Sequence, residues 1–224
     1  MTSSQNSKAA SLRSCLLTAT GLALLVSSGC SSGAKPNVGE ARSASDGGSA
    51  HLDAMCIGER IEKPPESFHY FFKSTDASGS VAREADITPQ TMDITTTDNS
   101  GSHSYHGVRS DENSWNRAML SLSSLSITAM AARLDSLNGT SAITAQGAEA
   151  MNGYQTTKYS FDSTSGKSSD QKQFETLFGP GSFDKGTIWM GQDGCAVKLL
   201  LDEGIWQTNG SIQKRHYEMA RSKK

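Results

Sequence analysis

The residue types that carry catalysis or bind metals are present in this sequence, but their spacing favours neither chemistry. His103 and His106 are three residues apart in a predicted strand, so their side chains point to opposite faces and one metal ion is not expected between them. Asp111 and Glu112 are adjacent and stand where a predicted helix begins, where acidic side chains stabilise the helix dipole. The sequence contains neither His-Glu-x-x-His nor a phosphate-binding glycine loop. We therefore predict no metal, no cofactor and no enzymatic activity.

Composition and charge argue against two further classes of protein. The chain has 224 residues, 35% hydrophobic and 20% charged, with a net charge of −2. A nucleic-acid-binding protein needs a concentrated basic face, which this balance does not favour. No apolar stretch reaches 18 residues, so the sequence does not predict a protein that spans a membrane several times.

The first thirty residues have the pattern of an export signal. Lys8 and Arg13 precede an apolar run over 15–26, which as a helix covers about 18 Å, well short of the roughly 30 Å apolar core of a bilayer. Basic residues, a short apolar run and small residues are typical of a secretory signal peptide. The run leads into Ser-Ser-Gly-Cys30, which resembles the lipobox of bacterial lipoproteins. The resemblance implies that Cys30 carries acyl chains such as palmitate. The alternative is ordinary signal cleavage, which leaves Cys30 a plain thiol.

This interpretation divides the chain into four parts. We expect a lipoprotein signal peptide over 1–29, a flexible tether over 30–50, a single α+β domain over 51–220 and a basic tail over 221–224, which is solvated or contacts anionic lipid headgroups. In enterobacterial lipoproteins, a residue other than aspartate after the acylated cysteine directs the protein to the outer membrane, and Ser31 fits that pattern. We therefore expect a lipid anchor in the cell envelope, on the periplasmic face of the outer membrane rather than at the inner membrane.

The remaining cysteines predict a disulfide. Cys15 leaves with the signal peptide and Cys30 is acylated, so Cys56 and Cys195 are left. In an oxidising compartment two remaining thiols most simply form one disulfide, worth roughly 2–4 kcal/mol. The alternative is a pair of free, buried thiols.

Periodicity predicts an α+β fold. Apolar residues recur at helical spacing from Ser114 to Leu137, with Ser110 or Ser114 as the N-cap and Asn138-Gly139 as the stop. Asn152-Gly153 and Asn209-Gly210 predict hairpin turns. The other predicted elements are a short helix over 51–61, strands over 67–74, 85–97, 102–109, 187–190, 195–201, 205–207 and 211–219, and one or two helical turns over 173–178. Strands, one long helix and more strands indicate an antiparallel sheet packed on a helix.

The second half of the chain carries a weak resemblance to a known superfamily. A Gly153-x-x-Thr156-x-x-Tyr159 strand is followed by an Ile188-Trp-x-x-x-x-Gly194 hairpin. This pattern resembles the periplasmic lipoprotein carriers and their mycobacterial lipid-binding lipoprotein relatives. The resemblance covers about 50 residues and implies a curved, unclosed half-barrel sheet packed on one long helix and short helices, with an apolar cavity for acyl chains.

Six aromatic residues are the candidates for lining such a cavity, and the alternative for each of them is that it belongs to the ordinary core. They are Phe68, Tyr70, Phe72, Trp115, Trp189 and Trp206. We therefore predict a lipid-anchored, non-catalytic envelope protein that binds or carries an amphiphile or an acyl group, with a lipid or a lipoprotein as its ligand. The alternative is a structural or protein-interaction lipoprotein with a filled core and no ligand.

Overall fold

The computed structural model describes residue 52 and residues 56–122 and 125–224. The predicted signal peptide, tether and acylated Cys30 lie outside these residues. Within them, the chain forms nine strands and four helices. The strands are β1 (Phe68–Asp76), β2 (Gly79–Ile87), β3 (Thr91–Asp98), β4 (Gly101–Val108), β5 (Ile143–Met151), β6 (Tyr154–Asp162), β7 (Phe183–Gly191), β8 (Ala196–Trp206) and β9 (Ile212–Lys223). The helices are α1 (Cys56–Glu62), α2 (Glu112–Leu122), α3 (Leu125–Asp135) and α4 (Ser168–Phe178).

The strands form one antiparallel sheet in the order β4-β3-β2-β1-β9-β8-β7-β6-β5. Consecutive strands are neighbours in two meanders, and the pairing of β1 with β9 joins the two meanders. Strands β4 and β5 are therefore the two free edges, and the sheet does not close into a barrel. This architecture confirms the predicted α+β class with an unclosed antiparallel sheet.

Two hairpin turns confirm the sequence prediction. Asn152 and Gly153 have φ of 52° and 84°, the left-handed pair that a two-residue turn of this kind requires. Gly210 has φ of 83° in the turn between β8 and β9. Asparagine and glycine adopt this region at little cost, because Asn tolerates it and Gly has no Cβ.

The predicted long helix takes a different form in the structure. Helices α2 and α3 stand on either side of residues 123 and 124, which lie outside the described residues. The first helix begins before Ser114, because Asp111 accepts hydrogen bonds from the backbone amides of Asn113 and Ser114 at 3.1 and 3.3 Å. Asp111 is thus the N-cap, in place of the predicted serines. The predicted stop is confirmed, since Gly139 has φ of 79°.

Two strand predictions are wrong. The predicted β region over 85–97 is the end of β2 and most of β3, and the chain reverses at 88–90, where Thr88 N donates to Thr91 O. Pro89 lies in this turn because proline has no N–H to give to a sheet. The separate strands predicted over 195–201 and 205–207 are one strand, β8.

The chain's basic end and the fourth helix also differ from expectation. The predicted tail over 221–224 is largely strand, because β9 continues to Lys223 and pairs there with Phe68. Arg221 is 1% exposed and donates to both carboxylate oxygens of Asp193 at 2.9 and 3.1 Å. The helical turns predicted over 173–178 are the end of α4, which begins five residues earlier.

The core lies between the helices and one face of the sheet, which we call the inner face. Successive residues of a strand point to opposite faces, and on β1 the inner residues are Phe68, Tyr70 and Phe72, all 1% exposed or less. Further buried inner residues are Ala85, Ile87, Met92, Ile94, Ile188, Leu199, Leu201, Tyr217 and Met219. Each large side chain buried in this way contributes about 1.5–3 kcal/mol, so this face holds the helices to the sheet.

A disulfide between Cys56 of α1 and Cys195 of the β7–β8 turn confirms the predicted pairing. The two Cα atoms are 5.5 Å apart, and the residues are separated by 139 positions in the chain. The bond therefore ties the first described helix to the second half of the sheet. None of the described helices is long and apolar enough to cross a bilayer.

Candidate functional site

An apolar row on the inner face leads from the core to the free edge at β4. Tyr70 pairs in register with Ala85, Ala85 with Ile94 and Ile94 with Tyr105. Their exposed fractions are 0, 1, 2 and 41%. The row therefore starts at a fully buried aromatic ring and ends at a ring that is open to solvent.

Helix α2 lies over this row. Trp115, Ala118 and Leu122 face the core and are at most 5% exposed. The helix approaches β4 closely at Gly107, where a Cβ would lie only 2.8 Å from the Cβ of Ala118. Only glycine permits this approach without a shift of the helix.

The outer end of the row is an opening between α2 and β4, lined by both apolar and polar residues. Leu120 is 73% exposed, and it lines an open depression of about 590 Å³ together with Tyr105 and Arg117. Among the described residues three large apolar side chains are exposed, and two of them, Tyr105 and Leu120, line this same depression; neighbouring exposed apolar side chains are more informative than single ones. Sequence analysis selected neither Tyr105 nor Leu120.

Several polar groups interrupt the inner face near β1, among them Tyr70, Thr96, Arg83 and the buried Arg221 that pairs with Tyr70. The hydroxyl of Tyr70 is buried and has no hydrogen-bond partner, and the same is true of Thr96 Oγ1. Burial raises the pKa of the Tyr70 hydroxyl, so the group stays neutral and can donate. Arg83 of β2, the strand between β1 and β3, pairs in register with Phe72 on β1 and with Thr96 on β3. Tyr70 lies two residues along β1 from Phe72.

The guanidinium of Arg83 is only partly used. Its Nε donates to the carbonyl of Ser121, in the last turn of α2, at 3.0 Å, a favourable position for a cation at a helix end. Among the described residues, no carboxylate forms an ion pair with it. Burial lowers the pKa of Arg83, an effect that the neighbouring Tyr70 and Asp98 oppose. The carboxylate of Asp98 instead accepts from Ser100 N and Oγ at 2.7 and 2.5 Å.

The structure separates the six predicted aromatic residues. Phe68, Tyr70, Phe72 and Trp115 share the core beneath α2, and their contact with a ligand stays a prediction. Trp189 lies on the opposite, outer face, because Ile188 and Met190 on either side of it belong to the core. It therefore does not share the surface of these four residues, and its contact with a ligand, like that of Trp206, stays a prediction.

Trp189 has polar surroundings, and Trp206 lies at the periphery of the domain. The ring of Trp189 lies between the ammonium groups of Lys158 and Lys198, at 5.1 and 5.4 Å, and its Nε1 donates to Glu149. Trp206 is half-buried, and its backbone amide donates to Ser182 Oγ at 3.1 Å beyond the end of α4. Neither ring is a neighbour of the β1 aromatic residues in the sheet register.

A buried ion cluster fixes α3 to the far end of the inner face. Arg133 of α3 binds Asp184 of β7 at 2.7 Å and Glu203 of β8 at 3.0 Å, and all three are at most 5% exposed. The hydroxyl of Tyr217 donates to Glu203 at 3.0 Å. Burial raises the pKa of Asp184 to about 6, although Arg133 opposes this effect. The ring of Phe178 covers the guanidinium at 4.6 Å.

The histidine pair does not form a site. His103 pairs in register with Thr96 and His106 with Asp93, so the two rings lie on opposite faces, as the strand spacing predicts. His106 Nδ1 is 2.6 Å from a carboxylate oxygen of Asp93. Among the described residues, no three histidine, cysteine or acidic side chains are arranged to hold a metal ion.

Three solved structures are similar to this chain. Lipoprotein LppX of Mycobacterium tuberculosis has 18% identity and a TM-score of 0.37, over 76% of this chain and 92% of its own. LprF of Mycobacterium bovis has 14% identity and a TM-score of 0.32, over 77% and 94%. MucB, in complex with MucA, has 10% identity and a TM-score of 0.33, over 76% and 53%.

Two of these structures are mycobacterial lipoproteins, the class to which the sequence resemblance points. No protein-family model matches the sequence, and no curated protein matches it. All three TM-scores are below 0.5.

Proposed function

We propose that this protein is a non-catalytic, lipid-anchored protein of the bacterial cell envelope that binds an amphiphile on its inner face. The observation that supports this function is the row from Tyr70 to Tyr105, which joins a buried apolar surface to an opening at a sheet edge where Tyr105 and Leu120 are exposed. An acyl chain enters beside Leu120 and lies along the row beneath α2. Each methylene that leaves water contributes about 0.8 kcal/mol, so a chain needs no specific polar partner to bind there.

The lid of this site is α2. Its polar contacts with the sheet are at its two ends, where Ser114 bonds to Val108 of β4 and Ser121 to Arg83 of β2. Its buried side chains Trp115, Ala118 and Leu122 are apolar, so an acyl chain can replace their contacts with similar ones. The disulfide and the ion cluster around Arg133 lie elsewhere in the sheet and hold the scaffold in place. Acylation of Cys30 and the tether over 30–50 complete the proposal, because they would keep the domain close to a membrane that supplies or receives the ligand.

Trp115 provides a reporter for this site. In the Trp189→Phe/Trp206→Phe variant of the full chain, Trp115 is the one remaining tryptophan. Addition of dibrominated stearate, whose bromines quench tryptophan at short range, is expected to quench its fluorescence saturably. The matched control is the Trp115→Phe/Trp206→Phe variant, which keeps only Trp189 on the outer face. Equal quenching in the two variants, or none, would refute the proposal.

The second candidate function is that of an interaction lipoprotein with a filled core. It is favoured by the close packing of Phe68, Tyr70 and Phe72, which are at most 1% exposed. In that case Trp115 keeps its fluorescence in the presence of dibrominated stearate. The same experiment therefore decides between the two functions.

A further inference from the structure

The geometry points to a subsite for an anionic headgroup, built from Arg83, Tyr70 and Thr96 on the inner face beneath α2. The inference rests on the proposed function and adds the chemical class of its ligand, an amphiphile with a carboxylate or phosphate group. These side chains belong to three neighbouring strands. Arg83 and Thr96 face each other in register, and Tyr70 is the diagonal neighbour of Arg83 on the same face.

Two of the three groups lack a hydrogen-bond partner among the residues that the structure describes. Tyr70 is 0% exposed and its hydroxyl is unpaired, as is the buried Thr96 Oγ1. An unsatisfied buried hydroxyl is costly, and native proteins contain few of them. Both groups can donate a hydrogen bond, so an acceptor placed between their strands would satisfy both at once.

Arg83 supplies the charge. Its Nε is occupied by the Ser121 carbonyl, but the described residues provide no carboxylate partner for the guanidinium. The buried arginines Arg133 of α3 and Arg221 of β9 do have such partners, since Arg133 binds Asp184 and Arg221 binds Asp193. A half-buried guanidinium with two neighbouring donors and no carboxylate in direct contact among the described residues is an arrangement that can bind a carboxylate or phosphate oxygen.

The row from Tyr70 to Tyr105 passes through Ala85, and Arg83 is the next residue of β2 that points to the same face, two positions along the strand. An acyl chain on this row would therefore bring its headgroup beside the three polar residues. The headgroup and the chain would occupy adjacent parts of the same face, which explains why polar residues occur within an apolar surface.

The test measures quenching of Trp115 in the Trp189→Phe/Trp206→Phe full chain by three brominated ligands. They are dibrominated stearate, the lysophosphatidate that carries the same acyl chain, and the uncharged monoglyceride of that chain. We expect the two anions to bind more tightly than the monoglyceride, and the tighter of the two identifies the headgroup. Arg83→Met should weaken binding of the preferred anion about 10- to 100-fold, the range for a charged hydrogen bond, and leave the monoglyceride unchanged.

Arg83 also contacts the end of α2, so its variant needs a control for folding. A purely structural role would weaken binding of the anion and the monoglyceride equally, and it would overturn the inference. Tyr70→Phe and Thr96→Val remove one donor each without a large change in volume and should lower affinity for the anion alone. Lys73→Met removes a cation from the outer face of β1 and should change neither affinity.

The outcomes separate the two levels of the proposal. If none of the brominated ligands quenches Trp115, the proposed function fails and the headgroup subsite fails with it. If the monoglyceride binds as tightly as both anions, and Arg83→Met changes nothing, the amphiphile site stands and the headgroup subsite is refuted.

Discussion

Removal of the Arg133 side chain tests how the helices are held to the sheet. In the Arg133→Met variant, the carboxylates of Asp184 and Glu203 stay buried without their cation. Loss of one partner from a buried ion pair typically costs about 3–5 kcal/mol. The two acidic residues are 0 and 2% exposed, so solvent cannot replace the guanidinium. We therefore expect the free energy of unfolding at pH 7.5 to fall by about that amount.

The loss of unfolding free energy in Arg133→Met should depend on pH. Burial raises the pKa of Asp184 to about 6 in the native state, from 3.8 as its ordinary value. The native state then binds the proton more readily than the unfolded chain, so the contribution of Asp184 is most favourable below pH 4 and is lost as the pH rises to 6. Removal of Arg133 takes away the cation that opposes this rise, so the pKa of Asp184 should increase further. Arg133→Met should accordingly be less destabilising at pH 5 than at pH 7.5.

The assay is urea unfolding of the full chain, followed by circular dichroism at both pH values. Arg117→Met is the matched control, because Arg117 is exposed on α2 and should change stability by less than about 0.5 kcal/mol. The double variant Arg133→Met/Asp184→Asn should recover part of the loss, since it removes one uncompensated charge. A loss below about 1 kcal/mol at pH 7.5, or an equal loss at both pH values, would refute this account of the cluster.

Three further predictions concern the scaffold. Cys56→Ser should lower the free energy of unfolding by about 2–4 kcal/mol under oxidising conditions, and an unchanged urea midpoint would show that the bond does not stabilise the fold. Gly107→Val should displace α2, because even a Cβ would lie 2.8 Å from that of Ala118; a thermal midpoint equal to wild type would contradict this packing. Asp111→Ala removes the N-cap of α2 and should cost about 1 kcal/mol, measured by urea unfolding; no loss would mean that the cap is dispensable.

Local patterns in the sequence are sufficient to predict much of the scaffold. The aromatic alternation of Phe68, Tyr70 and Phe72 predicts the buried face of β1, since the strand period is two. The Asn-Gly pairs predict two hairpin turns because few other residues adopt their φ values. The Cys56–Cys195 disulfide follows from counting the cysteines that remain after export.

The polar residues of the candidate site could not be found in the same way. Strand β2 begins Gly-Ser-Val-Ala-Arg-Glu, which has too few apolar residues to be predicted as a strand. The alternation of Val81, Arg83, Ala85 and Ile87 does place Arg83 on the inner face, and this pattern was the available signal. It becomes informative only when the pairing with Phe72 and Thr96 is known.

Long-range contacts explain the remaining differences between the sequence prediction and the structure. Arg133 and Asp184 are 51 residues apart, and no local pattern links them. The basic residues at the end of the chain predict a solvated tail, yet Arg221 is buried because β9 pairs with β1 and Asp193 neutralises its charge. In each case a charged side chain is buried because a distant partner meets it there.

The most direct test of the amphiphile site is native mass spectrometry of the full chain purified from its membrane. We predict an additional mass, beyond that of the anchor, which organic extraction removes and which corresponds to an anionic amphiphile. The Ala85→Trp variant should lose this mass, because Ala85 lies between Tyr70 and Ile94 on the inner face and a larger side chain would fill the row. If the wild-type chain carried no mass beyond its anchor, or if Ala85→Trp retained the same ligand, the inner face would not be the binding site.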